Sequence, residues 1–125
     1  MILVDTSIWI DHLRQSCEKL AQLLGAGQVL AHPYIIGELA LGSLKNRHAV
    51  LGALQNIPQA PVATDNEVLH LIETNALYGI GIGYIDAHLL AAARLSPGAL
   101  LWTRDKRLLD ASTRLGLVAF SGVAL

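Results

Sequence analysis

The chain has 125 residues, of which 53% are hydrophobic and 15% are charged, and its formal net charge is −1. This length suits one domain, which we expect to span residues 1–125, and the composition argues against disorder. No apolar run approaches the roughly 18 residues of a membrane-spanning helix, and a start without a basic segment is not typical of a signal peptide. The single cysteine, Cys17, excludes an internal disulfide and favours a reducing, cytoplasmic location.

The first half of the chain predicts two strands and four helices. The run ILV at 2–4 indicates a buried strand, and Thr6 or Ser7 is expected to cap a short helix through Leu13. Ser16 is expected to cap a second helix, which ends at the Gly25/Gly27 pair. The next predicted elements are a strand at 29–32, a helix at 33–44 with Pro33 in its first turn, and a helix from the Asn46 cap to about Gln55.

The second half continues the alternation and completes an α/β pattern. A weak strand at 60–63 precedes TDNE at 64–67, a capping box that opens a helix to about Leu77. The later predicted elements are a GIGIG loop at 79–83, a helix at 84–95, a strand at 99–102, a helix at 104–115 and a strand at 117–120. Alternating strands and helices predict a parallel sheet of four to five strands that is covered by helices on both faces.

Four of the ten acidic residues occupy positions that simple solvation does not explain. Asp5 and Asp105 each follow a predicted strand, and sites in α/β proteins gather beyond the carboxyl ends of strands. Glu38 and Asp86 lie on helix faces that are otherwise apolar, where an isolated carboxylate is unfavourable. The remaining acids have simpler interpretations: Asp65 and Glu67 belong to the capping box, while Asp11 and Asp110 have basic residues at helical spacing, namely Arg14, Lys106 and Arg114.

Four carboxylates that meet at one edge of a sheet repel one another unless a cation compensates them. Oxygen ligands suit Mg²⁺ or Mn²⁺, which activate water and neutralise phosphoryl charge. We therefore expect a metal site formed by Asp5, Glu38, Asp86 and Asp105. The alternative is that each acid forms a distant ion pair or caps a helix, and Asp86 in particular could be an N-terminal helix acid.

Hydroxyl and basic residues surround these acids in the sequence. Thr6, Ser7 and Thr103 are candidates for holding the carboxylates, and Arg104, Lys106 and Arg107 are candidates for contacts with a phosphate backbone. The GIGIG loop does not match G-x-G-x-x-G, so we interpret it as a connector that positions Asp86. The histidines, Trp9 and Trp102 are expected to be structural rather than functional.

Four segments, LVDTSIWIDHLR, IIGELALG, GYIDAHLLAAARL and LLWTRDKRL, resemble in order and spacing the PIN domain, and more narrowly the VapC-type toxins of type II toxin–antitoxin pairs. The resemblance implies an endoribonuclease that depends on Mg²⁺ or Mn²⁺ and cleaves structured RNA, such as transfer or ribosomal RNA. It assigns the catalytic and metal-binding roles to Asp5, Glu38, Asp86 and Asp105, with Ser7 and Thr103 as supporting hydroxyls. It also implies a homodimer and a VapB-like antitoxin whose C-terminal segment lies over the acidic site.

Three other interpretations remain open from the sequence. A phosphoryl-receiver domain would also place acids at strand ends, with Asp65 as the acceptor, but it gives no reason for Glu38 and Asp86 on apolar faces. A PIN-like fold could bind RNA or a protein without cleaving, and a structural domain could use its acids only in ion pairs. Metal-dependent cleavage would separate the nuclease from all three.

Overall fold

The computed structural model describes residues 1–121, and all structural statements concern that part of the chain. Helices and strands alternate through it. The strands are β1 (Ile2–Val4), β2 (Val29–Leu30) and β3 (Leu100–Trp102). The helices are α1 (Thr6–Arg14), α2 (Glu18–Gly25), α3 (Pro33–Ala40), α4 (Arg47–Asn56), α5 (Asp65–Thr74), α6 (Tyr84–Arg94) and α7 (Lys106–Arg114).

The three strands form a parallel sheet in the order β2-β1-β3. The central strand is β1, in which Ile2 pairs with Val29 on one side and with Leu100 on the other. All three residues of β1 are buried, because a parallel sheet covered on both faces exposes neither side of its middle strand. The predicted α/β class and the buried strand at 2–4 are therefore confirmed.

The expectation of four to five strands is wrong for the described residues. The segment at 60–63 contributes no strand; pairing is limited to a bridge between Ala31 and Gln59 and a bond from the Ala60 amide to the Ala31 carbonyl. Pro61 follows and has no amide hydrogen, so it cannot donate to a ladder. The segment at 117–120 pairs with Leu101 through one bridge, and no strand forms there within residues 1–121.

The predicted caps of two helices also differ from the structure. Asp5, not Thr6 or Ser7, occupies the N-cap position of α1, and Cys17, not Ser16, occupies that of α2. Neither cap residue accepts a side-chain bond from its helix. The Cys17 amide instead donates to His12 Nδ1 at 2.9 Å, so a side chain from the preceding helix satisfies it.

Two helices end earlier than their sequence patterns predict. Helix α3 ends at Ala40, before Gly42 and Ser43, which are poor helix formers. Helix α5 ends at Thr74 because Ala76 takes a left-handed conformation, with φ of 50°. The Leu77 amide then donates to the Ile72 carbonyl at 2.9 Å, which is the long bond of a Schellman motif and satisfies an otherwise unpaired helix carbonyl.

The capping box at 64–67 is confirmed and carries a prediction about stability. Thr64 Oγ1 accepts from the Glu67 amide at 3.1 Å, and Glu67 Oε1 accepts from the Thr64 amide at 2.9 Å. The bond from the Thr64 amide to the carboxylate, with a further contribution from the Thr64 side chain, lowers the pKa of Glu67. Thr64→Ala is expected to lower the free energy of unfolding in urea by about 1 kcal/mol. Thr64→Ser keeps the acceptor and should lose much less; equal losses would contradict the cap as the cause.

The hydrophobic core surrounds the sheet and includes both tryptophans, as expected. Trp9 from α1 and Trp102 from β3 are buried in it, together with Leu3 of the central strand. Helix α5 packs on α6, and α3 packs on both α1 and α4. Among the described residues, no helix has the length and apolar character needed to cross a membrane. These packings fix the helices whose first turns surround the carboxyl edge of the sheet.

Candidate functional site

The carboxyl ends of β1 and β3 bring two chain segments together at one edge of the sheet. Asp5 follows β1, and its amide donates to the carbonyl of Trp102, the last residue of β3, at 2.9 Å. Thr103 follows β3 directly, and Asp105 lies two residues further on, at the N-cap of α7. Because the strands are parallel and adjacent, residues 97 or more positions apart in sequence meet at this edge.

Asp5 is the centre of a hydrogen-bond network and is only 6% exposed. Its Oδ2 accepts from Thr103 Oγ1 at 2.7 Å and from Ser7 Oγ at 2.9 Å. The two hydroxyls in turn accept from backbone amides: Thr103 Oγ1 from Asp105, and Ser7 Oγ from Arg104. Both hydroxyl protons are therefore directed at the carboxylate, which stays oriented without a basic partner.

Glu38 lies on α3 and is held by the first residue of α1. Thr6 Oγ1 donates to Glu38 Oε1 at 2.7 Å, a bond between residues 32 positions apart. Glu38 is partly buried, as its place on an apolar helix predicts. The hydroxyl of Thr6, which could have capped α1, is used to orient a second carboxylate.

Asp86 and Asp105 each use one oxygen to cap a helix, so the helix-cap alternative applies to both in part. Asp86 Oδ2 accepts from the Gly83 amide at 3.0 Å, and Asp105 Oδ1 accepts from the amides of Arg107 and Leu108. Burial raises the pKa of Asp86; the Gly83 bond opposes this, and the charges of Asp5 and Asp105 add to the rise. The last effect places Asp86 within electrostatic reach of the other two acids.

Each of the four carboxylates leaves one oxygen without a hydrogen bond to residues 1–121: Asp5 Oδ1, Glu38 Oε2, Asp86 Oδ1 and Asp105 Oδ2. The ion pairs in the described chain join other residues, so no Lys, Arg or His neutralises this set. Free carboxylate oxygens with uncompensated charge are the donor chemistry that a hard divalent cation requires. The residues therefore fit Mg²⁺ or Mn²⁺ in ligand type.

The side chains do not form a ready-made chelating cluster. No group of three or more His, Cys, Asp or Glu residues among residues 1–121 is arranged to hold a metal ion. Mg²⁺ is commonly bound through one or two carboxylates with water in its other positions, so a set of this kind does not conflict with the ligand chemistry. Asp86 lies within electrostatic range of both Asp5 and Asp105, whereas Glu38 is linked to the edge through Thr6.

The ion pairs that the sequence predicts for Asp11 and Asp110 are not those that the structure forms. Arg104 Nε lies 2.9 Å from Asp11 Oδ2. The expected ion pair between Asp11 and Arg14 is therefore wrong, because Asp11 pairs with Arg104 instead. Asp110 forms no ion pair with the described residues, and Arg114 donates instead to two backbone carbonyls. Helical pairs of this spacing contribute only a few tenths of a kcal/mol, so tertiary partners readily replace them.

Two histidines play structural roles that the sequence only partly indicates. His32 and His88 are completely buried, as expected of core histidines. His32 also caps α3, because its Nδ1 accepts from the Tyr34 amide at 3.0 Å. A polar residue directly before Pro33 was the available signal for this cap, but VLAH at 29–32 predicts a strand that would include the histidine.

Comparison with known proteins places the chain in a family. The PIN domain matches residues 2–113. The chain is 52% identical over 125 residues to Ribonuclease VapC32 of Mycobacterium tuberculosis, strains CDC 1551 / Oshkosh and ATCC 25618 / H37Rv, and covers 96% of that protein. A match of this extent leaves no support for the phosphoryl-receiver alternative.

Solved structures show the same fold at low sequence identity. FitAcB from Neisseria gonorrhoeae is similar with a TM-score of 0.64 and 21% identity, and the match covers 100% of both chains. A structure of FitAB bound to an IR36 DNA fragment gives a TM-score of 0.62 and 18% identity, over 100% of this chain and 97% of that one. The fold, the full-length relative and the match over residues 2–113 agree: the chain belongs to the PIN domain family.

Proposed function

We propose that this chain is an endoribonuclease that requires Mg²⁺ or Mn²⁺ and is the toxin of a type II toxin–antitoxin pair. The observation that carries the proposal is a set of four carboxylates, each held by one oxygen and free at the other, with no basic partner among the described residues. Membership of the PIN family and 52% identity to a ribonuclease support it.

The acidic and hydroxyl residues have different roles at this site. Asp5, Glu38, Asp86 and Asp105 would hold the cation, which when bound supplies Lewis-acid polarisation and charge neutralisation at a phosphodiester. Ser7 and Thr103 keep Asp5 oriented toward the site. Because all three hydroxyl bonds to Asp5 and Glu38 come from residues at strand or helix ends, the carboxylates are preorganised by the fold. Structured RNA is the proposed substrate.

The basic residues that follow β3 are proposed to contact the RNA backbone. Arg104, Lys106 and Arg107 flank Asp105 on an exposed surface. Contacts from such residues to phosphate oxygens position a nucleic acid without reading its sequence. They would present a phosphodiester to the carboxylates, while specificity for one RNA must come from other contacts.

An antitoxin of VapB type is the proposed protein partner, in a cytoplasmic complex in which the chain forms a homodimer. A groove of about 530 Å³ runs between α1 and the end of α3, and Glu38 lies in its wall. Ile10 and Leu13 expose over a third of their surface there, and Arg14 and Lys45 lie at its margins. An amphipathic segment with acidic flanks would bury these apolar side chains and reach the carboxylates.

The proposed function predicts RNA cleavage that depends on both metal and Asp86. We expect the purified chain to cut total cellular RNA into discrete fragments with Mg²⁺ or Mn²⁺, and to lose this activity in EDTA. Asp86→Asn should remove cleavage, because one carboxylate charge is lost while the amide oxygen can still accept the Gly83 bond.

The matched control is Asp110→Asn, which removes an acid from the exposed surface of α7, away from the four carboxylates. It should cleave at the rate of the unaltered chain. Cleavage by Asp86→Asn at that same rate would overturn the site assignment. Intact RNA with the unaltered chain in both metals would count against the nuclease and favour a PIN-like fold that binds without cutting.

A further inference from the structure

The GIGIG loop and α7 are joined by an unusually close contact between Gly81 and Arg107. A Cβ atom built on Gly81 would lie 2.8 Å from Arg107 Nη1 and 2.9 Å from its Cδ. These separations are shorter than a Cβ atom tolerates, so a side chain at residue 81 would require the flexible end of Arg107 to move. Gly81 also has a φ of +84°, a conformation that L side chains rarely adopt.

The Arg107 guanidinium has no acidic partner in the described part of the chain, whereas Arg104 is paired with Asp11. The arginine is exposed, so its five donors are available to a ligand. It is thus an exposed cation that lies against the loop at Gly81 without a carboxylate partner in the described part of the chain.

Arg107 connects the two elements that carry Asp86 and Asp105. Its own amide donates to Asp105 Oδ1 at 2.9 Å, and the loop beneath its side chain leads through Gly83 to Asp86. A group bound by this guanidinium would therefore lie at the margin of the carboxylate set rather than within it. For a nuclease, the anion that follows the scissile phosphate along the strand is a neighbouring phosphodiester.

We propose that Arg107, supported by Gly81, binds an RNA phosphodiester adjacent to the one that is cleaved. The proposal rests on the proposed function, because it takes RNA to be the substrate at the four carboxylates. Gly81 is a positioning residue, which acts by leaving space for the arginine. Arg107 contacts the substrate, and its planar fork can form two parallel bonds to phosphate oxygens.

The test measures binding of fluorescein-labelled bulk transfer RNA in EDTA, so that affinity is obtained without cleavage. Arg107→Gln should raise Kd about tenfold, since a bond between charged groups is lost. It should also reduce the slope of log K against log salt by about 0.7 to 0.9, the value for one phosphate contact. Arg107→Lys should restore most of the slope but not the affinity. Arg94→Gln removes the same charge from the end of α6 and should change the slope much less.

Comparing alanine substitutions at Gly79 and Gly81 separates the effect of backbone strain from the displacement of Arg107. Gly79 has a φ of +71° and no atom of residues 1–121 within 4 Å of its Cβ position, so Gly79→Ala introduces the backbone strain alone. Gly81→Ala introduces comparable strain and displaces Arg107 as well. Both should lose similar amounts of Tm, but only Gly81→Ala should weaken RNA binding as Arg107→Gln does. Equal binding by the two alanine variants would overturn the role of Gly81.

Cleavage with Mg²⁺ separates this proposal from the proposed function. If the unaltered chain cleaves RNA, Arg107→Gln should raise KM about tenfold and leave kcat nearly unchanged, because a flanking contact acts equally on the ground and transition states. An unchanged KM and salt slope in Arg107→Gln would overturn the phosphate contact and leave the nuclease standing. Absence of cleavage, with the salt slope still reduced by Arg107→Gln, would overturn the nuclease and the placement beside a cleaved phosphate, and would leave only an RNA phosphate contact at Arg107. Absence of RNA binding at low salt would overturn both.

Discussion

Asp5→Asn is expected to lower RNA cleavage by about a hundred- to a thousandfold, the range for loss of one electrostatic group at a reaction centre. Asp5 is the most buried of the four carboxylates, and its position is set by Thr103 and Ser7. Asparagine can accept the same two hydroxyl bonds through its amide oxygen. The change therefore removes the charge and the free oxygen of the site while leaving the local hydrogen bonds in place.

The folded state should tolerate this substitution. Removing a carboxylate relieves repulsion with Asp86, whose pKa the Asp5 charge helps to raise. We therefore expect the Tm of Asp5→Asn to equal or exceed that of the unaltered chain, measured by circular dichroism without metal. Asp11→Asn is the control on α1, because it breaks only an exposed ion pair with Arg104. Full activity in Asp5→Asn, or the same loss in Asp11→Asn, would contradict the assigned role.

Acid is expected to destabilise the chain through His32, by about 3 kcal/mol between pH 7 and pH 4. Burial and the nearby His88 lower the pKa of His32 from 6.5 to about 4. The unfolded chain takes up this proton below pH 6.5 and the folded chain does not, so stability is lost as pH falls from 6.5 toward 4. Protonation of Nδ1 would also break the cap bond from the Tyr34 amide.

Urea unfolding at pH 7 and pH 4 measures this loss, and His32→Asn isolates it. Asparagine keeps a capping oxygen but does not titrate, so the difference between the two pH values should shrink by about 3 kcal/mol. His70→Asn on the exposed surface of α5 is the control and should leave the difference unchanged. The groups around His32 are His88 and Tyr34, with Tyr84 and Asp65 beyond His88. An equal pH difference in His32→Asn would assign the acid sensitivity to these neighbours.

Local patterns predicted most elements because each one depends on residues close in sequence. The run at 2–4 and the TDNE box predicted β1 and the start of α5, since an apolar run and a capping box are complete within a few residues. The strands expected at 60–63 and 117–120 were wrong because pairing depends on partners from elsewhere in the chain. Pro61 shows how one residue without an amide hydrogen limits a ladder that the apolar pattern favours.

The four acids could be singled out from the sequence, because a carboxylate after a buried strand or on an apolar helix face conflicts with its surroundings. Thr6, Ser7 and Thr103 were candidates for holding these carboxylates, but which hydroxyl meets which carboxylate could not be predicted. The bonds from Thr103 to Asp5 and from Thr6 to Glu38 join residues 98 and 32 positions apart. The sequence offered Thr6 or Ser7 as the cap of α1 and also as a hydroxyl that holds a carboxylate, and the fold directs both hydroxyls to carboxylates.

The sequence by itself determined the α/β class, the buried central strand and the identity of the unusual acids, because hydrophobic patterns can be recognised from residues that are close in sequence. Only the tertiary structure decided which oxygen of each carboxylate is held and which is free. It also decided that Arg104 is paired with Asp11, while Arg107 lies against Gly81 with no acidic partner among residues 1–121. These outcomes depend on how β1, β3, α6 and α7 meet at one edge of the sheet, because a side chain can bond only with groups that the fold brings close to it.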